Sequence, residues 1–285
     1  MAELIVREQA LPSEVAGVLA IADAAEPHDG VRPLSEHALL GLRHGGGRSL
    51  LLWEDAVLAG YAHLDSGSAE LVVHPAHRRR GHGRALLKAL LGETRGPLRV
   101  WAHGELPAAV ALAAATGFSR VRALFQLRRP TAEPLPAVSV PAGVRIAAFE
   151  AGRDEGAWLK VNSRAFAHHP EQGLWTLDDL LQREAEPWFD PAGFFLAWRG
   201  DRLIGFHWTK VHPDGLGEVY VVGVDPDGQG MGLGRALTLA GLEHLAARGA
   251  PAVLLYVDES NVAAVRLYED LGFTRWTTDA MYEHA

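Results

Sequence analysis

The sequence predicts an α/β fold, an α+β arrangement on a mixed sheet, built twice in tandem and joined by a proline-rich linker. Three observations carry this. Apolar runs of strand length, rich in β-branched residues, alternate with runs of helical spacing. An apolar strand, a glycine-rich turn and a helix start occur in order at 69–84 and again at 218–235, with His74-Pro75, Gly81 and Gly83 lying 151 positions before Asp225-Pro226, Gly232 and Gly234. Thr116-Gly117-Phe118-Ser119-Arg120 returns as Leu271-Gly272-Phe273-Thr274-Arg275 at an offset of 155, so both halves share one element order and a duplication explains it.

Residues 4–7 read as the first strand and 12–25 as the first helix. Asp29-Gly30 and Pro33 mark a turn, after which Ser35 begins a short helix to residue 44. The runs 49–53 and 57–64, separated by Glu54-Asp55, form a hairpin. The second half repeats this with a strand at 144–148, helices at 155–166 and 177–183, and a hairpin of 194–198 with 203–210. Four prolines in residues 130–141, with few large apolar groups, make an extended linker, so the expected domains are 1–129 and 143–285 around a linker at 130–142. The irregular stretch 167–173 interrupts the helices, and loops carry function more often than helices do.

With 285 residues, each half can bury its own core. No apolar run approaches the ~18 residues of a membrane span, and the start of the chain lacks the basic and apolar segments of a leader, so a cytoplasmic protein is expected. The absence of cysteine excludes disulfides, thiolate metal sites and a cysteine nucleophile. A net charge of −8 argues against a general nucleic-acid binder. His168-His169 lack a third ligand at useful spacing, so no metal is expected; a monomer acting on a small molecule is.

The turn at Gln229, Gly230, Met231, Gly232, Leu233, Gly234 and Arg235 follows the strand that carries Val222, Gly223 and Val224 and leads into the proline-free helical run 236–248. Backbone N–H groups left unpaired at a helix start, with the helix dipole, form a seat for phosphate, and glycines let it approach. The spacing excludes a P-loop and lacks the third glycine of a dinucleotide fingerprint. Taken alone, such a turn is as often only a tight turn. It resembles the acetyl-CoA pyrophosphate loop of the GNAT acyltransferases, Gln/Arg-x-x-Gly-x-Gly/Ala, which Gln229, Gly232 and Gly234 fill.

With both halves considered, and with GFHWTKVHPDGLGEVYVVGVDP, HPEQG, LLYV and NVAAVRLYEDLGF, the chain resembles the tandem-domain GNAT acetyltransferases of mycothiol biosynthesis. The resemblance implies acetyl-CoA as cosubstrate and, as acceptor, the cysteinyl amine of a cysteine–glucosamine–inositol pseudodisaccharide. It implies cofactor contacts from Asn261, Val262, Ala263, Ala264, Val265 and Arg266. It also implies a second, non-catalytic acetyl-CoA site in the first half at Leu71, Val72, Val73, Arg79, Arg80, Gly81, His82, Gly83 and Arg84. Substrate contacts are implied at Glu171, Lys210, Glu218 and Tyr256, with Glu36 reaching over from the first half.

Acetyl transfer to an amine needs a neutral nucleophile and a proton for the departing thiolate. Glu218 has the parity of Tyr220, Val222 and Val224, which places these side chains on one face, and its carboxylate can take the ammonium proton. Its plain alternative is a solvated glutamate at a strand start. The resemblance makes Tyr268 the acid; from the residues alone a core tyrosine, on the buried face of a helix capped by Asn261, is the favoured reading. The first half has Gly67, Ala113 and Leu106 at the positions of Glu218, Tyr268 and Asn261, so the second half is expected to catalyse. Glu36 and Lys210 equally suit a surface, and Tyr256 a core. Two readings compete: an acetyltransferase for another amine, such as an aminoglycoside or a protein N-terminus, and a non-catalytic acetyl-CoA sensor.

Overall fold

The computed structural model describes residues 2–168 and 172–285. Two compact units emerge, one made of the chain up to Phe125 together with Thr277–Ala285, the other of Gln126–Trp276.

In the first unit, strands β1 (Ala2–Arg7), β2 (Arg48–Glu54), β3 (Val57–Asp65), β4 (Ser68–Val73) and β5 (Leu98–Ala102) lie in chain order. The first four pair antiparallel, and β4 and β5 run parallel. The end of β12 (Thr274–His284) adds to β5 antiparallel, from Ala280 opposite Ala102 to His284 opposite Leu98. Alternation along β2 divides the core in two: Leu51 packs with Val18, Ile21 and Ala22 of α1 (Pro12–Asp29) and Leu42 of α2 (Glu36–His44), while Leu50 and Leu52 pack with Leu86 and Leu90 of α3 (His82–Glu93). Ala113 of α4 (Pro107–Ala115) joins the latter cluster.

The second unit repeats the plan with β7 (Val144–Ala148), β8 (Phe194–Arg199), β9 (Arg202–Val211), β10 (Gly217–Val224) and β11 (Ala252–Asp258), antiparallel throughout except for the parallel β10–β11 pair. One face carries an aromatic core beneath α5 (Glu155–Ala165) and α6 (Leu177–Glu184), where Phe194 stacks on Trp208 at 4.4 Å between centroids. The other face packs Ile204, Val222 and Val224 against Leu233 and Leu237 of α7 (Leu233–Ala247). Helix α8 (Val262–Glu269) follows β11. Among the described residues no helix is long and apolar enough to cross a membrane.

Both hairpins and the short helices stand where the sequence places them, and residues 131–143 carry no helix or strand. The compact units nevertheless depart from chain order at their edges. Strand β6 (Ser119–Pro130) ends inside the second unit, and the tail of β12 belongs to the first. Edge pairing decides this: β5 offers its free side to the last strand of the chain, a choice made by backbone hydrogen bonds between distant segments.

Candidate active site

The site begins at a defect in β10. Its pairing with β9 shifts register between Val219 and Val221, so Tyr220 is an extra, bulged residue. Below the bulge Glu218 lies opposite Lys210; above it Val221 lies opposite Trp208 and Val222 opposite His207. Glu218, Tyr220 and Val221 therefore face the aromatic core, whereas Val222 and Val224 face α7. The single face expected for Glu218, Tyr220, Val222 and Val224 does not exist, because one inserted residue inverts the alternation. Parallel pairing with β11 stops at Val219 opposite Leu255, and among the described residues none of Tyr220 to Val224 pairs with β11, which leaves that edge of β10 available to an extended ligand.

Glu218 is 8 % exposed, and its Oε2 lies 2.7 Å from His212 Nε2. The turn after β9 holds His212 there: His212 N–H donates to Leu216 O at 2.8 Å and Gly215 N–H donates to His212 O at 2.9 Å. Lys210 is also buried, its Nζ 4.3 Å from the ring centre of Trp188 and 5.2 Å from that of Tyr220. On the same face Arg183 of α6 stacks over Trp175 at 3.9 Å and donates from Nε to the Tyr220 hydroxyl at 2.9 Å and from Nη1 to Asp179 O at 2.8 Å. Glu218, Lys210 and Arg183 thus share one face beside the bulge, the two cations over aromatic rings, an arrangement suited to a polyhydroxylated amine.

The glycine turn is pinned from below. Asp225, 1 % exposed, accepts from Arg164 Nε at 2.6 Å, from Arg202 Nη2 at 3.0 Å and from the backbone N–H of Asp227 at 3.0 Å. The hydrogen bond from Arg164 leads the causes that hold its carboxyl below the usual range. Above it, Gln229, Gly230, Met231 and Gly232 are exposed. Gly232 caps α7 at φ +82° and Gly230 sits at φ +78°, and a Cβ on either would meet nothing within 4 Å. Among the described residues the N–H groups of the first turn of α7, from Leu233 through Gly234 and Arg235, have no intrahelical partner and open onto that space, a geometry that favours an anion.

Asn261 caps α8, its side chain accepting from Ala264 N at 3.2 Å, so this side chain serves the helix first. The turn Val262, Ala263, Ala264, Val265 and Arg266 is exposed or half-buried. Tyr268 is buried with its ring 5.8 Å from that of Phe273, and among the described residues its hydroxyl has no hydrogen-bond partner. Burial pushes the phenol up to about 12, so it holds its proton at neutral pH. Tyr256, half exposed, accepts from Gln126 Nε2 at 2.6 Å and, two residues beyond the Leu254 that pairs with Glu218, emerges on the same side of the sheet. Glu218 and Tyr268 share no hydrogen bond. Glu36 opens α2 in the first unit, behind the Ser35 cap, and Glu171 lies outside the described residues, as does His169.

In the first unit β4 pairs with β3 without a bulge, so Leu71, Val72 and Val73 keep strict alternation. Strand pairing makes Ser68, opposite Asp65, the counterpart of Glu218, not the Gly67 expected from the constant offset; the extra residue in β10 accounts for the difference. Neither can serve as a base. Gly81 caps α3 at φ +87°, as Gly232 does α7, while Arg78 pairs with Asp29 at 2.6 and 2.7 Å and Arg80 with Glu54 at 2.8 Å. Arg79 adopts φ +64°, and His82, Gly83 and Arg84 form the first turn of α3. Leu106 precedes α4 without a side-chain cap, and Ala113 is buried.

Sequence reasoning missed His212 and Arg183. The signal for His212 was present: a histidine opening a His-Pro-Asp-Gly turn six residues before a strand-start glutamate can fold back onto it. Arg183 carried no such signal, since only packing brings α6 over the bulge.

A family model described as "Acetyltransferase (GNAT) family" matches residues 18–118 and 158–273. A mycothiol acetyltransferase of Thermomonospora curvata is 68 % identical over 277 residues, covering 95 % of this chain and 93 % of the relative. One of Thermobispora bispora is 61 % identical, covering 95 % and 96 %. Among solved structures, a tandem GNAT protein from the clavulanic acid biosynthesis pathway superposes with a TM-score of 0.75 at 20 % identity, over 100 % of this chain and 98 % of its own. A GCN5-related N-acetyltransferase from Sphaerobacter thermophilus gives 0.74 at 24 % identity, over 99 % and 95 %. These last two speak to the fold alone.

Proposed function

Since the chain belongs to the acetyltransferase (GNAT) family, we propose that it acetylates the cysteinyl amine of the cysteine–glucosamine–inositol pseudodisaccharide with acetyl-CoA, the last step of mycothiol biosynthesis. One observation supports the placement of the chemistry: among the described residues, the second unit has a buried carboxylate beside the β10 bulge, Glu218, where the first unit has Ser68 on an unbulged strand.

Acetyl-CoA supplies the acetyl group as an activated thioester. The open turn at Gly230 and Gly232 and the start of α7 seat its diphosphate, and the free edge of β10 from Val222 to Val224 takes its extended arm. His212 occupies one oxygen of Glu218, which leaves the other to remove the ammonium proton. Lys210, which lies opposite Glu218 in the strand pairing, holds the hydroxyl groups of the acceptor together with Arg183 and Tyr256. Tyr268 retains its proton to give to the leaving sulfur. The first unit holds a second acetyl-CoA between Leu71–Val73 and Arg79–Arg84 without turning it over, for want of a base and an acid.

Turnover of the pseudodisaccharide, aminoglycosides and peptide N-termini by wild type and Glu218→Gln tests this. Only the pseudodisaccharide should be a good substrate, and Glu218→Gln should lower kcat by about 10²–10⁴ with little change in acetyl-CoA affinity. Equal turnover of unrelated amines would refute the substrate, and an undiminished kcat would refute the base.

A further inference from the structure

Three side chains converge beneath the glycine loop of the first unit, apart from the proposed catalytic centre. Glu54 ends β2, His77 closes the single turn Pro75–His77, and His82 opens α3. His77 Nδ1 lies 2.7 Å from Glu54 Oε2 and His82 Nε2 lies 3.4 Å from Glu54 Oε1, with one ligand atom from each residue within 4.8 Å of the others. A tetrahedral zinc site with bonds of about 2.0–2.2 Å places its ligand atoms about 3.3 Å apart, a spacing these side chains reach by small torsions.

A second observation points to a ligand. His82 is 6 % exposed, and among the described residues its buried Nε2 makes no hydrogen bond, its 3.4 Å approach to Glu54 Oε1 lacking the geometry of one while aiming it into the cluster. The second unit has nothing equivalent: at the offset of 151, Gly228 and Leu233 replace His77 and His82.

We propose that Glu54, His77 and His82 bind a first-row divalent cation, zinc foremost. Two imidazoles and one carboxylate form a borderline set that suits zinc and disfavours magnesium, which takes oxygen ligands and keeps its waters. Arg80, half exposed and 2.8 Å from Glu54 Oε2, is the cation now balancing that carboxylate. The incoming ion displaces it to solvent, binds the two imidazoles in their neutral form and completes its shell with water, so any proton on His77 is released. Because His77 and His82 bracket Arg78–Gly81, the ion ties both ends of the loop to β2.

The full-length protein, stripped with a chelator, is titrated calorimetrically with zinc chloride, with magnesium chloride as control, beside Glu54→Gln and His77→Ala. Thermal unfolding in chelator checks that all three chains share one fold. One zinc per chain with micromolar or tighter affinity is expected, weakened about 10–100-fold in each variant, and X-ray absorption at the zinc edge should show two imidazole ligands. Zinc affinity unchanged in both variants, or an absorption spectrum without paired imidazoles, would overturn the assignment and leave surface histidines as the binders.

Discussion

The phosphate seat can be tested by separating what Gly232 does for the fold from what it does for the ligand. Gly232 and Gly249 bracket α7, at φ +82° and φ +83°, and a Cβ on either meets nothing within 4 Å. Leucine at either position therefore carries the same left-handed strain, about 1–2 kcal/mol, and no clash. For a unit of this size that lowers the melting temperature by roughly 2–8 °C in both variants alike. They differ only in place. At Gly232 the new side chain fills the space before the free N–H groups of α7; at Gly249 it faces solvent at the far end. Losing one charge-assisted hydrogen bond costs about 1.5–3 kcal/mol, so Gly232→Leu should bind acetyl-CoA roughly 10–150-fold more weakly at the catalytic site, and Gly249→Leu should bind as wild type. Calorimetry with scanning melts, backed by KM for acetyl-CoA, measures both effects. Equal affinities in the two variants, with equal melting temperatures, would refute the cradle.

Tyr268→Phe removes a hydroxyl that has no hydrogen-bond partner among the described residues, so stability should hold while kcat drops, and between pH 6 and about 9.5 the wild type should show no loss of activity from phenol ionisation, because that group is pushed up to about 12. Stopped-flow turnover across that range decides it, and a Tyr268→Phe chain with wild-type kcat would remove the acid. A separate pH effect is expected in the first unit. Burial would lower His103, yet the Glu70 charge and the hydrogen bonds with Asp279 and Glu70 outweigh it and raise the imidazole to about 10. Unfolded histidine titrates near 6.5, so this contribution is whole below about that pH and is lost as pH climbs through about 10. Scanning calorimetry should find the first unit less stable at pH 9.5 than at 6.5, a slope that His103→Gln flattens; an identical slope in the variant would show the network to be neutral.

Much of this protein is legible in its sequence because it is written locally. The repeated order of elements, the glycines at Gly81 and Gly232, the Asn261 cap and the asymmetry between Glu218 and its counterpart all rest on turn chemistry, helix capping and periodicity, which act over a few residues. Tertiary structure decided the rest. The bulge at Tyr220 arises from register against β9, so no run of β10 alone announces that Val222 and Val224 turn away from Glu218. Arg183 reaches Tyr220 only because α6 packs over that bulge, and the last strand joins β5 across most of the chain. Those are choices among distant partners, settled by backbone pairing and by the burial of aromatic surface, and neither leaves a mark within a short stretch of residues.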